Sequence, residues 1–284
     1  MRKGSFIGVI SAVVLILAAC SSQKKVTVNE NGDDLPFRKV VKSQDPELKF
    51  LYAEKYFTNK DYYKAQALFE ELIPIWRLTE KGSLCYFRYA QCYYEMEDFY
   101  LASYYFKSFN KTHSTDPRAE EALFISALCK VKISPTYSLD QTDTKEAIDQ
   151  MQLFLDKYPK SIRKDTCNML IDKLTDKLDR KKFEVAMLYY KTSNYKAASI
   201  AFDVCLEYYP ESNHKEEIMY YRIKSDFLLA ENSIQAKKVE RYEETIKSYH
   251  NFVSAFPESI YLKSAERILE DSKKQLEMLK QETT

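Results

Sequence analysis

Apolar and small residues recur along this chain at spacings that a helix brings onto one face. Tyr62-x-x-Ala65-x-x-x-Phe69 returns as Phe99-x-x-Ala102-x-x-x-Phe106 and again as Tyr195-x-x-Ala198-x-x-x-Phe202. Each copy follows, at one fixed distance, a small residue and a tyrosine: Ala53 and Tyr56, Ala90 and Tyr93, Ala186 and Tyr189. Short polar stretches, Asn59-Lys60-Asp61 and Glu97-Asp98, separate the two halves of the first two copies. The pattern predicts paired antiparallel helices stacked as a superhelical, all-α solenoid, an architecture whose usual work is to hold other proteins. The alanines mark the points where two helices cross closely. A large side chain at any of them should overpack the crossing by about 1–3 kcal/mol.

Five such units fit the chain, near residues 46–79, 83–116, 119–160, 179–212 and 217–258, followed by a terminal helix over 260–281. The third and fifth units are degenerate. The third has Ala127, an insertion over about 133–142, then Ala147, Met151 and Phe154, with Thr144 in place of the turn aromatic. The fifth has Tyr221 and Ser225, an insertion over about 232–240, then Tyr242, Thr245, Tyr249 and Phe252. Each insertion is expected to lengthen helices or add a loop on one face. The terminal helix carries a stripe of Ile260, Leu262, Ile268, Leu269, Leu276 and Leu279, expected to cap the open end of the stack, with a coiled-coil contact as the alternative. Residues 20–45 are polar and aperiodic and read as a flexible tether, within which Phe37-Arg38-Lys39-Val40-Val41 could dock locally.

These aromatic, small and proline positions resemble the tetratricopeptide repeat family over most of the chain. The resemblance implies a concave face lined by the first helix of each unit. Carried over position by position, that face takes Phe50 and Phe57 from the first unit, Phe87, Gln91 and Tyr94 from the second and Phe124 from the third. The fourth unit adds Phe183, Met187 and Tyr190. A phenylalanine recurs at one such position in four successive units, which suits an apolar or aromatic peptide. The competing reading is that these rings pack against neighbouring repeats.

The amino terminus changes the setting. Arg2 and Lys3 precede an apolar run from Phe6 to Ala19, too short to span a bilayer comfortably, which ends in Leu17-Ala18-Ala19-Cys20. That sequence resembles the lipobox of bacterial lipoproteins. Residues 1–19 are then a signal peptide, and Cys20 carries the lipid, whose two or three acyl chains anchor far better than one. No aspartate follows Cys20, and no acidic run follows either, so a periplasm-facing outer-membrane anchor is expected. Loss of Arg2 and Lys3 turns 43 basic and 42 acidic side chains into 41 and 42. That near-neutral balance offers no electrostatic case for nucleic acid.

Only four glycines occur in 284 residues, which disfavours tight hairpins and phosphate-binding loops. Apart from Cys20, five cysteines remain, Cys85, Cys92, Cys129, Cys167 and Cys205, an odd number with no C-x-x-C spacing. They read as small buried apolar residues, with no metal site or cofactor expected. No Gly-rich phosphate loop or G-x-S-x-G appears, the acid pairs Glu70-Glu71 and Glu243-Glu244 point apart on helices, and Glu120-Glu121 reads as a charged first turn after Pro117, so no enzymatic activity is expected.

The lipobox, tether, five units and terminal helix together resemble the BamD family of outer-membrane β-barrel assembly lipoproteins over roughly residues 20–280. The junctions Tyr158-Pro159-Lys160-Ser161, Tyr209-Pro210-Glu211-Ser212 and Phe256-Pro257-Glu258-Ser259 add to the likeness. The proline stops one helix and the serine can cap the next. The resemblance implies docking on the periplasmic domains of the barrel insertase through the carboxy-terminal repeats, here around Tyr220, Tyr221, Tyr242, Tyr249 and Leu269. It also implies capture of unfolded outer-membrane proteins near Phe50, Phe57, Phe87 and Tyr94. The alternative is an adaptor for cell-wall enzymes or for pilus or secretion assembly, because the scaffold is shared and function sits on its surface.

Overall fold

The computed structural model describes residues 35–282, and among these the chain is helix and turn, with no strand. A short helix α1 (Phe37–Lys42) precedes five helix pairs: α2 (Pro46–Thr58) with α3 (Tyr62–Ile75), α4 (Glu80–Glu95) with α5 (Phe99–Thr112), α6 (Ala119–Ile133) with α7 (Thr142–Lys157), α8 (Lys164–Lys191) with α9 (Tyr195–Tyr208), and α10 (Lys215–Glu231) with α11 (Gln235–Ala255). Helix α12 (Leu262–Glu282) closes the series. Each helix packs mainly on its chain neighbours, and α10 also reaches α8 and α12. The core is a string of separate clusters, as expected of a stack.

The close crossings fall where the small residues predict them. Ala53, Ala65, Ala90, Ala102, Ala147, Ala186 and Ala198 have no exposed surface. In the fifth unit Ser225 and Thr245 are fully buried, and each hydroxyl donates back to its own helix, to the carbonyls of Tyr221 at 2.8 Å and Arg241 at 2.9 Å. The turns within the first, second and fourth units share one conformation. Lys60, Glu97 and Ser193 sit at φ of 62°, 60° and 61°. The next residue's N–H reaches back five positions, as from Asp61 to the Tyr56 carbonyl at 2.8 Å and from Asp98 to that of Tyr93 at 2.9 Å. This is the Schellman closure of a helix, here made without glycine.

The irregular units differ from each other. In the third, the insertion is a loop over residues 134–141. In the fifth, most of it joins α11, and only residues 232–234 separate the helices. Thr144 replaces the turn aromatic because its buried hydroxyl braces that loop, 2.6 Å from Ser134 Oγ and donating to Gln141 Oε1 at 2.8 Å.

Three boundaries depart from the sequence reading. The fourth unit begins at Lys164, not near 179, because Cys167, Leu170, Ile171 and Leu174 continue the helical stripe without a break. The first half of α8 therefore packs with α6 and α7, and the second half with α9. Part of the span read as tether is the helix α1, whose Val40 is fully buried against α2 and α3. Ile260 stands 85% exposed ahead of α12, while Ala265, Leu276 and Leu279 carry that helix's buried face against the fifth unit. This face is spent within the chain, as a cap requires.

Candidate partner-binding surfaces

The aromatic row on the first helices has a covering residue in every unit. Lys81 Nζ lies 5.6 Å from the Phe50 ring centre, Arg118 Cζ 5.8 Å from Phe87 and Arg163 Cζ 5.1 Å from Phe124. His214 stacks on Phe183 at 5.1 Å and 5°, and Tyr261 stacks on Tyr220 at 4.4 Å and 13°. Each covering residue stands at the start of the next unit's first helix, or of α12 after the fifth. The row is therefore a seam between repeats, stabilised by cation–π and stacking contacts of order 0.5–1 kcal/mol each where exposed.

A second contact holds the covering residue in place. Ser83 Oγ donates to Asp116 at 2.8 Å, Ser161 Oγ to Glu120 at 2.6 Å and Ser212 Oγ to Asp179 at 2.5 Å. Acid and alcohol exchange positions between the first of these latches and the other two. The same junction side chain accepts the backbone N–H two residues on: Arg118 to Asp116 at 2.8 Å, Arg163 to Ser161 at 3.1 Å, His214 to Ser212 at 2.9 Å and Tyr261 to Ser259 at 3.0 Å. The junctions at Asp116, Ser161 and Ser212 thus tie the preceding unit's first helix to the residue that lies on its ring. The hydrogen bonds of Arg118 hold the Asp116 carboxyl well below the usual carboxylate range, whereas burial pushes Asp179 up despite its bond from Ser212.

The expected groove residues therefore divide into two sets. Phe87, Phe183 and Met187 are buried, at 5%, 6% and 7% exposure, and Phe87 meets Phe106 and Phe109 edge-on at 5.4 Å. They belong to the seam, and the reading of them as open groove lining is corrected. Phe50, Phe57, Gln91, Tyr94, Phe124 and Tyr190 remain half-buried. Arg88 gathers two of these, lying 4.6 Å over Phe57 and donating to Gln91 at 3.0 Å, and is paired with Glu54 at 3.2 Å. Tyr190 joins Tyr221 and Lys224, whose Nζ is 5.3 Å from the Tyr190 ring.

The residues expected to dock a partner are largely interior. Tyr242, Tyr220 and Tyr249 are 1%, 7% and 8% exposed, and they pack with α12 or with neighbouring helices of the fifth unit. Tyr221 and Leu269 are half-buried in the same cluster as Tyr220 and Tyr249. The degenerate spacing of the fifth unit concealed that these aromatics fill its crossing and the seat of the cap. The exposed large apolar residues of this end, among those described, are Ile234, Ile260 and Met278.

Sequence reasoning missed the covering residues and the latch. Their signal was present: Phe50, Phe87 and Phe124 stand at a regular interval of 37 (50, 87, 124), and Thr79, Asp116, Ser161, Ser212 and Ser259 each precede the covering residue by two. Cys20 lies outside the described residues. The other five cysteines are unpaired and buried, with burial pushing Cys85, Cys92 and Cys129 up to about 12 and Cys205 to about 11. Among the described residues no group of His, Cys, Asp or Glu is arranged to hold a metal ion, and no helix is long and apolar enough to cross a membrane.

The chain is, by these features, a helical-repeat protein whose chemistry lies in packing and in its surface. The profile of the YfiO family, described as outer membrane lipoproteins, matches residues 43–200 and 181–282, and the chain belongs to that family. No curated protein matches it. Among solved structures, the tetratricopeptide repeat domain of P58(IPK) is 12% identical, covering 85% of this chain and 68% of its own at a TM-score of 0.39. The apo form of RapI is 15% identical, covering 85% and 89% at 0.33. The yeast histone chaperone Hif1 is 13% identical, covering 86% and 97% at 0.27. These superpositions are loose, and the repeat assignment rests on the chain's own geometry.

Proposed function

We propose that this lipoprotein is a non-catalytic scaffold of outer-membrane β-barrel assembly, anchored through lipid on Cys20 and facing the periplasm. It docks on the periplasmic domains of the barrel insertase and holds segments of unfolded outer-membrane proteins. The observation that carries this reading is the family match across residues 43–282, on a chain whose described residues form one continuous repeat stack with a cap. Such a stack presents side chains along a long face without needing to move, which lowers the ordering cost of holding an extended chain.

The half-buried residues Phe50, Phe57, Gln91 and Tyr94 are the surface offered to substrate, with Arg88 lying over Phe57 and donating to Gln91. Docking falls to the outer surface of the fifth unit and the cap, where Ile234 is 69% and Ile260 85% exposed, and not to the tyrosines beneath it.

Purification of the tagged full-length lipoprotein from its native membrane in mild detergent tests the reading. A large β-barrel protein with periplasmic domains should accompany it in near-equal amount. A cell-wall hydrolase or a secretin in that place, or no stable partner, would refute docking on the insertase.

A further inference from the structure

The loop over residues 134–141 is built more firmly than a connection requires. Units one, two and four turn between their helices with a Schellman closure, whereas this unit spends a longer segment and fixes it from two sides. From within, the Gln141 amide, 5% exposed, donates to the carbonyls of Thr136 at 2.7 Å and Leu139 at 2.9 Å. From α8, Lys177 donates to Ser134 Oγ at 2.7 Å, Lys181 donates to the Leu139 carbonyl, and Arg180 lies 4.5 Å over the Tyr137 ring. The loop is therefore a fixed wall, and between it and the facing sides of α8 and α9 lies a groove of about 460 Å³.

That groove has a distinct chemistry. Its floor is apolar, from Leu178, Val185, Ala201 and Val204, with Tyr209 at one end. Val185 is 42% exposed there, and Leu139, on the wall loop, 59%. Its rim carries Lys145, Lys181 and Lys182 against the single carboxylate of Asp140, whose Oδ1 already accepts the Thr142 N–H at 2.9 Å. Among the described residues neither Lys145 nor Lys182 is within ion-pair distance of a carboxylate, although Lys145 lies close enough to Asp140 to add to the Thr142 hydrogen bonds that hold its carboxyl below the usual range. Lys182 rests 4.2 Å over the exposed ring of Tyr208. A basic rim over an apolar floor, held in shape before anything binds, complements a ligand that is apolar along its length and anionic at its edge.

We infer that this groove holds an extended peptide segment of a partner protein that carries apolar side chains beside carboxylates. Apolar side chains of the peptide lie on Val185 and Val204, and its carboxylates meet Lys145 and Lys182 at the rim. The site is separate from the aromatic seam, and it requires neither the insertase nor barrel proteins as partners, so it stands or falls independently of the function proposed above.

Two fluorescent decapeptides test it by anisotropy against the detergent-solubilised full-length protein, one alternating leucine with glutamate and one alternating leucine with lysine. The glutamate peptide should bind, more weakly as salt rises, and the lysine peptide should not. The double substitution K145E/K182E changes two rim side chains outside the core. With helicity unchanged by circular dichroism, it should weaken the glutamate peptide at least ~10-fold and favour the lysine peptide. Equal binding of both peptides, no binding of either, or an unchanged affinity in the double variant would overturn the inference.

Discussion

The hydroxyl of Ser212, at the junction before α10, donates to the buried carboxylate of Asp179 in α8 at 2.5 Å, and the same oxygen accepts the backbone N–H of His214 at 2.9 Å. One side chain thus fixes both the junction and the ring that lies on Phe183. Ser212→Ala leaves a 3%-exposed carboxylate without a donor, an omission that costs about 1–3 kcal/mol. Urea denaturation should record that loss, and Ser161→Ala, whose partner Glu120 is more exposed, should lose less.

Two kinds of acid, the half-buried Asp116 and the buried Asp179 and Asp226, give the fold opposite responses to pH. Asp116 is held below the usual range by Arg118, so its contribution to stability is full above the ordinary aspartate value and is lost as pH falls towards the lowered one. Asp179 and Asp226 are pushed up by burial, Asp226 despite hydrogen bonds from Ser199 and Ser248 and the nearby charge of Arg222. Their protonated forms are favoured in the fold, so their contribution is present at low pH and is lost as pH rises through the raised values. Melting temperatures across the acid range should show Asp116→Asn flattening the acid-side loss and Asp226→Asn flattening the opposing trend. Identical profiles for the two variants would contradict the assignment.

Glu97 occupies the left-handed region at φ 60°, a position where most helices place glycine. Its side chain is exposed and gains no packing from that conformation. Glu97→Gly should therefore raise stability, by about 0.5–1 kcal/mol once the greater freedom of the unfolded chain is offset. Glu97→Val should lower it. Thermal unfolding of the pair separates a backbone cause from loss of charge, because both substitutions remove the carboxylate.

Phe87 is a seam residue before it is anything else. Its ring meets Phe106 and Phe109 and lies under Arg118. Phe87→Ala should cost about 3–5 kcal/mol of stability, as large-to-small changes in a core do. Any loss of partner binding in that variant follows from the fold. Phe57→Ala removes a half-buried ring under Arg88 and should spare more of the stability while weakening peptide capture.

The repeats were legible because packing at a helix crossing tolerates so few side chains. Alanine at 53, 65, 90, 102, 186 and 198 has to be small, and Tyr62, Phe99 and Tyr195 mark the same turn three times. The length of α8 was not legible, since a junction with proline and serine precedes it just as it precedes shorter helices, and only Cys167, Leu170, Ile171 and Leu174 carry the stripe onward. The division of the aromatic row into seam and surface was hidden for another reason. Periodicity places Phe87 and Phe57 on the same helix series, but whether a ring is covered depends on a residue some thirty positions later, such as Arg118 over Phe87. The docking tyrosines failed in the same way, because Tyr242 and Tyr249 are covered by helices that the sequence does not show to be adjacent.

Controlled depletion of this lipoprotein in its native bacterium, with quantification of β-barrel proteins in the outer membrane, tests the proposed role most directly. If it is a scaffold of barrel assembly, folded barrel proteins should fall as the lipoprotein is lost, and their unfolded precursors should rise in the periplasm. Re-expression of the Phe57→Ala, Gln91→Ala, Tyr94→Ala triple variant should restore the fold and the anchor but not barrel levels. Normal barrel levels after full depletion would contradict the account.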